Sequence, residues 1–127
     1  MDTLKRWHDI IELRKPELLD EILAEDCIFF SPVVHTPQRG RELTKLYLTG
    51  AMHVLNKDFH YVKELVTPSH AVLEFVCDID GISVNGVDII SFDSDGKIKE
   101  FKVMVRPLKA INLLHGKMRE MLERLPA

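Results

Sequence analysis

Four long strand-like segments follow one another in the second half of the chain, and they limit the folds that it can adopt. They cover residues 59–66, 70–79, 82–92 and 97–106, and they are rich in β-branched and aromatic residues. The connections "TPS", "DG" and "DSDG" carry the proline and glycine that tight turns require. The sequence therefore predicts a run of long antiparallel strands.

The segments around these strands have the helical spacing of apolar residues, as Leu4, Trp7 and Ile11 show in the first of them. The predicted helices are residues 3–14, residues 15–26, residues 40–55 and a final helix that begins near Pro107. One further strand, residues 27–34 ("CIFFSPVV"), interrupts the first three helices.

This order of elements predicts an α+β fold, because the helices precede and follow the strands instead of alternating with them. We expect a cone-shaped barrel of a curved, mainly antiparallel sheet wrapped around three N-terminal helices, with a C-terminal helix. With 127 residues, the chain is predicted to form one domain over residues 1–127. Such a cone has room for a cavity at its wide end.

Composition excludes several classes of function. Hydrophobic residues make up 46% of the chain, and its net charge of −3 argues against a nucleic-acid partner. The N-terminal segment lacks the apolar core of a signal peptide, and no apolar run is long enough to span a membrane. We therefore expect a cytoplasmic protein in which Cys27 and Cys77 are buried free thiols.

The sequence contains no motif for a bound group. It has no pair of histidines at metal-ligand spacing, no glycine-rich phosphate loop and no nucleophile elbow. We predict neither a metal nor a cofactor.

Several segments together resemble the nuclear transport factor 2-like superfamily, also described as the SnoaL-like or ketosteroid-isomerase-like fold. They are "LLDEILAEDCIFFSPV", "RGRELTKLYL" and "GVDIISFDSDGKIKEFKVMVRP", in this order along nearly the whole chain. The superfamily includes isomerases, cyclases, hydratases, epoxide hydrolases and binding proteins. The resemblance therefore implies a fold but not a function.

The resemblance also assigns three positions. Ser31 lies where a ketosteroid isomerase has the aspartate that shuttles the proton, and Trp7 lies where it has a tyrosine of the oxyanion hole. A serine hydroxyl has no useful basicity near neutral pH, and an indole donates one hydrogen bond but does not ionise. Asp88 matches the aspartic acid that the isomerase keeps protonated. Two of the three roles are missing, which argues against steroid isomerase activity.

Asp88 is the strongest candidate site residue from the sequence alone. It interrupts an apolar strand, and strand alternation places it on one face with Gly86 and Ile90. Two interpretations stay open: a cavity acid whose pKa burial raises, or a structural acid bonded to a neighbouring helix, histidine or arginine.

His8 and His53 lie beside apolar helix faces, where histidines are most often packing or rim residues. If they converge on Asp88, one of them is a candidate general base, so the predicted catalytic set is Asp88, His53 and His8. The predicted ligand-binding residues are Trp7, Phe29, Ser31, Tyr47, Tyr61, Phe92 and Arg106. Glu74 is either a second cavity acid or part of a dimer contact, and Arg106 either pairs with an acid or marks a strand end.

Three functions are compatible with these residues. The first, which we favour, is binding of a small apolar or aromatic molecule in an apolar cavity, with no catalysis demonstrated. The second is an isomerase, cyclase or hydratase-lyase that acts on an apolar carbonyl compound through Asp88 and a histidine. The third is a dimeric interaction module. In addition, Val87 and Ile89 point away from the cone, which predicts a homodimer formed by the outer faces of the sheets.

Overall fold

The computed structural model describes residues 2–125. The helices are α1 (Asp2–Leu13), α2 (Arg41–Val54) and α3 (Leu108–Arg124), with a short 3₁₀ helix at Pro16–Glu21. The strands are β1 (Leu23–Phe30), β2 (Gln38–Arg39), β3 (Lys57–Val66), β4 (His70–Ile79), β5 (Ile82–Phe92) and β6 (Ile98–Arg106).

The six strands form one curved sheet in the order β2-β1-β6-β5-β4-β3. Every neighbouring pair is antiparallel except β1 and β6, which run parallel. The predicted α+β class, the curved and mainly antiparallel sheet and the C-terminal helix are confirmed. The sheet does not close into a barrel, because β2 and β3 are its two free edges.

The prediction of a second helix over residues 15–26 is wrong in its second half. The chain makes only the 3₁₀ turn and then enters β1, where Leu23 pairs with Ile98 of β6. Leu19, Ile22 and Leu23 are fully buried, so sheet pairing and burial override a spacing that also suits a helix. The two-residue strand β2 is too short to leave a periodic signal, so it was not predictable from the residue pattern.

The core lies between the concave face of the sheet and the helices. Along β5, Val84, Gly86, Asp88 and Ile90 are buried while the residues between them are partly exposed. This alternation places Asp88 on the inner face. Cys27 and Cys77 are both buried and unpaired, as expected, and burial raises the pKa of Cys77 to about 11.

Gly86 is required by the packing of this inner face. A Cβ atom at position 86 would lie 2.2 Å from Cζ of Phe75 and 2.9 Å from the carbonyl oxygen of Met104. The Phe75 ring therefore lies directly against the backbone of β5, in space that no side chain at position 86 can share.

Gly86→Ala should lower the free energy of unfolding by about 1–3 kcal/mol, because the Phe75 ring and the backbone of β6 must move apart. Urea unfolding measures the change. Gly116→Ala in α3 is the control, since a Cβ atom there meets nothing within 4 Å, and it should leave stability equal or higher by up to about 1 kcal/mol. Equal stabilities of Gly86→Ala and the unmodified protein would contradict this packing.

The outer face of the sheet combines apolar and polar side chains. Leu65 and Met104 are 63% and 52% exposed there. Glu74 belongs to this face, because it accepts a hydrogen bond from Nδ2 of Asn85 at 3.0 Å, and Arg106 donates to the same asparagine at 2.8 Å. The structure thus places Glu74 away from the interior, on the side where the sequence predicts a dimer contact.

We expect this outer face to pair with that of a second copy, because monomers rarely leave such apolar surface uncovered. Sedimentation velocity at micromolar concentration should show a dimer, and Met104→Lys should shift it to monomer. Leu13→Lys, which changes a similarly exposed residue of α1, should leave the dimer intact. A stable monomer of the unmodified protein would refute the prediction.

Candidate functional site

A cavity of about 830 Å³ lies between the concave face of the sheet and helices α1, α2 and α3. Its volume is within the range of small-molecule sites, about 300–1,000 Å³. Its walls are mostly apolar, and aromatic rings supply much of them: Trp7, Phe29, Tyr47, Phe59, Tyr61 and Phe75.

A chain of two hydrogen bonds forms the polar centre of this cavity. The Tyr61 hydroxyl donates to Oδ2 of Asp88 at 2.6 Å, and Nε1 of Trp7 donates to the Tyr61 oxygen at 3.0 Å. Asp88 is only 5% exposed and borders the cavity. This chain of hydrogen bonds thus takes one residue from each of three elements: helix α1, edge strand β3 and strand β5.

Local backbone features bring Tyr61 to Asp88. Tyr61 is opposite Phe75 in the β3–β4 pairing, and Phe75 is opposite Gly86 in the β4–β5 pairing. Because Gly86 has no side chain, the Phe75 ring lies against β5, with the Tyr61 ring at 83° to it and 6.5 Å away. The tyrosine hydroxyl therefore reaches the next inward position of β5, which is Asp88.

Burial sets the protonation of this pair. It raises the pKa of Asp88 from the ordinary 3.8 to about 7, and the hydrogen bond from Tyr61 opposes this shift. The pKa of Tyr61 is raised well above 10, mainly by burial and secondly by the nearby charge of Asp88. Near neutral pH, Tyr61 therefore remains a donor while Asp88 passes between its neutral and charged forms.

This shift makes stability depend on pH. Asp88 binds its proton more tightly in the folded protein than in the unfolded chain, because its pKa is about 7 instead of 3.8. The resulting stabilisation is complete below about pH 4 and is lost as the pH rises through 7. The two pKa values correspond to a free-energy difference of about 4 kcal/mol.

We therefore expect the stability of the unmodified protein, relative to Asp88→Asn, to fall by up to about 4 kcal/mol between pH 4 and pH 8. The amide does not titrate, so the comparison isolates this one group. Urea unfolding at a series of pH values gives the difference. A difference that stays constant over this range would show that the carboxyl is not held in its neutral form.

His8 borders the same cavity, and the structure therefore brings it and Asp88 to one site. Its ring stands edge-on to Tyr61, with 5.4 Å between the ring centroids. Nε2 of His8 lies 2.7 Å from Oε1 of Glu64 on β3. Glu64 could not be predicted as a site residue, because a register shift between Tyr61 and Lys63 turns it to the cavity side.

Three predicted residues lie outside the cavity. His53 is exposed on α2 and does not approach Asp88, since the cavity-facing side of this helix carries Tyr47, Ala51 and Met52. Arg106 is on the outer face, where strand alternation takes it, and Phe92 is buried in the core without bordering the cavity.

Ser31 borders the cavity, but its hydroxyl is engaged in a turn. Oγ accepts hydrogen bonds from the backbone N–H groups of Val33 at 3.0 Å and Val34 at 3.2 Å. The serine thus shapes the loop at the cavity mouth. The residues that the sequence did not indicate include a set from α3, which closes one side of the cavity: Leu114, His115, Met118, Arg119 and Leu122.

Within residues 2–125, no three histidine, cysteine or acidic side chains come together in a way that could hold a metal ion. The helices of this described part are also too short or too polar to cross a membrane.

Comparison with models of protein families shows the family to which the chain belongs. The model of the SnoaL-like domain matches residues 4–101. The chain belongs to this family. Membership confirms the predicted nuclear transport factor 2-like, SnoaL-like superfamily. A comparison with curated protein sequences finds no match.

Solved structures with the same fold include members of different function. A steroid delta-isomerase from Pseudomonas aeruginosa is 34% identical, with a TM-score of 0.93 over 96% of this chain and 90% of that one. An uncharacterised protein from Silicibacter pomeroyi is 26% identical, with a TM-score of 0.90 over 96% and 86% of the two chains. The epoxide hydrolase/cyclase-like enzyme SalBIII, 13% identical at a TM-score of 0.67 over 83% and 88%, shares the fold alone.

Proposed function

We propose that this SnoaL-like protein binds a small, mainly apolar carbonyl compound in the cavity, with Asp88 as its main polar contact. The observation that carries the proposal is a buried carboxyl among aromatic walls. In the described part of the chain, Tyr61 is the only side chain that hydrogen-bonds it. Polar groups that are few and well placed in an apolar pocket fix the orientation of a ligand.

The Tyr61 hydroxyl uses its proton on Asp88, so the ligand must find another donor. Neutral Asp88 supplies one, because a protonated carboxyl can accept from Tyr61 with one oxygen and donate with the other. A carbonyl oxygen is the matching acceptor. The aromatic rings contact the apolar body of the ligand.

A second candidate function is acid–base catalysis on the same ligand class. The pKa of about 7 at Asp88 favours it, since proton transfer is most efficient when the pKa lies near the working pH. The 34% identity to a steroid delta-isomerase also supports it. Ser31 and Trp7, however, stand where the resemblance would require a base and an oxyanion-hole tyrosine, so catalysis needs a different proton acceptor.

Trp7 is the only tryptophan of the chain and borders the cavity, so its fluorescence reports binding. We expect the Trp7 fluorescence to be quenched or enhanced by some members of a panel of aromatic, bicyclic and steroid ketones. The panel includes β-tetralone. Asp88→Asn should change their affinity by about 1–3 kcal/mol, because the amide cannot make the same hydrogen bonds.

Asp95→Asn, a change of the same kind in an exposed turn, should leave the affinity unaltered. Absence of binding by every ketone would refute the carbonyl-binding function and leave the dimeric interaction module as the alternative. Equal affinities of Asp88→Asn and the unmodified protein would remove Asp88 from the site.

A further inference from the structure

A second polar pair lies at the border of the cavity, and the proposed function leaves its role open. His8 and Glu64 are bonded at 2.7 Å, with side chains 34% and 41% exposed, whereas Asp88 is almost completely buried. The His8 ring borders the cavity and packs against Tyr61, whose hydroxyl bonds Asp88. The two polar pairs therefore adjoin the same tyrosine ring.

The contact with Glu64 determines which nitrogen of His8 is available. An ionised carboxylate only accepts hydrogen bonds, so Nε2 of a neutral His8 carries the hydrogen and donates it. Nδ1 then holds the free lone pair. Among residues 2–125, no side chain or backbone group forms a hydrogen bond with this nitrogen. A carboxylate that holds a histidine in one tautomer and orientation is an arrangement in which histidine acts as a general base.

We propose that His8, oriented by Glu64, is the proton acceptor of this cavity, and that the ligand is a ketone with an acidic C–H bond beside its carbonyl group. The proposal rests on the proposed carbonyl-binding function. In the proposed proton transfer, His8 is the catalytic base, Asp88 is the proton donor and Glu64 is a positioning residue. Ser31 has no part in proton transfer, in agreement with the engagement of its hydroxyl in the mouth turn.

The step is balanced without any further reagent. The C–H bond beside the carbonyl breaks and its proton forms an N–H bond at Nδ1 of His8. The electron pair left on carbon forms a C=C bond, and the carbonyl oxygen takes the proton of neutral Asp88 to give an enol. A proton then returns from His8 to carbon, at the same position or at the far end of an unsaturated ketone. As the C=O bond re-forms, the enol O–H proton goes back to Asp88, and both groups are restored.

Exchange of hydrogen for deuterium in β-tetralone, followed by NMR in deuterated buffer, tests this step without knowledge of the natural ligand. The unmodified protein should accelerate exchange beyond the buffer rate. His8→Gln should reduce that acceleration by about 10²–10⁴-fold, the contribution expected of a positioned base. Glu64→Gln should reduce it by at least about tenfold, since the tautomer and ring orientation are no longer fixed.

Binding, read from Trp7 fluorescence in the same samples, should change little in either variant. A merely structural role of His8 would alter binding and exchange together. Added imidazole should restore exchange in His8→Ala in proportion to its concentration. His70→Gln at the start of β4 is the control for the lost histidine. Asp9→Asn, which removes the carboxylate of the exposed Lys5–Asp9 pair on α1, is the control for Glu64→Gln.

The outcomes separate the two proposals. Binding with exchange that depends on His8 supports both. Binding without acceleration, or with equal acceleration in His8→Gln, overturns the base and leaves the ligand site standing. If β-tetralone and every other ketone of the panel fail to bind, the carbonyl-binding function is overturned. The proposed role of His8 as a base is then overturned as well.

Discussion

The hydrogen bond between Tyr61 and Asp88 is the interaction on which the interior of this protein depends. Burying a carboxyl group among aromatic side chains is unfavourable, and the bond from Tyr61 offsets only part of that loss. The remainder appears as a pKa raised to about 7, so a substantial fraction of the acid is still neutral near pH 7. The same unfavourable burial therefore gives the cavity a proton donor.

Much of this arrangement can be predicted from the sequence. The alternation along β5 puts Asp88 on the inner face, and the helical spacing of α1 brings Trp7 to the core. Both patterns are local and continue over several residues. What the sequence could not indicate depends on pairing between distant segments. The register shift in β3 turns Glu64 toward the cavity, and pairing with β6 draws Leu23 into a strand.

Errors in the predicted site have the same origin. His53 lies near an apolar stripe, but the rotation of α2 about its axis is set by packing against other elements, and it leaves this histidine in solvent. Helical periodicity predicts which side of a helix is apolar, but not which residues at the border of that side are buried. The fold, in turn, does not choose among functions, because related cones carry different chemistry. The function therefore has to be argued from the side chains that border the cavity, Asp88 and His8 among them.

The residues around the cavity also hold the open edge of the sheet in place. Strand β3 pairs with β4 on one side only, and on its inner side two side-chain contacts tie it to α1: Trp7 with Tyr61, and His8 with Glu64. Three residues that border the cavity thus also hold the free strand in place: Trp7, His8 and Tyr61. Edge segments are the first to open in native proteins. We therefore expect a molecule that competes for these hydrogen bonds to loosen β3, and one that reinforces them to protect the amides of β3 from hydrogen exchange.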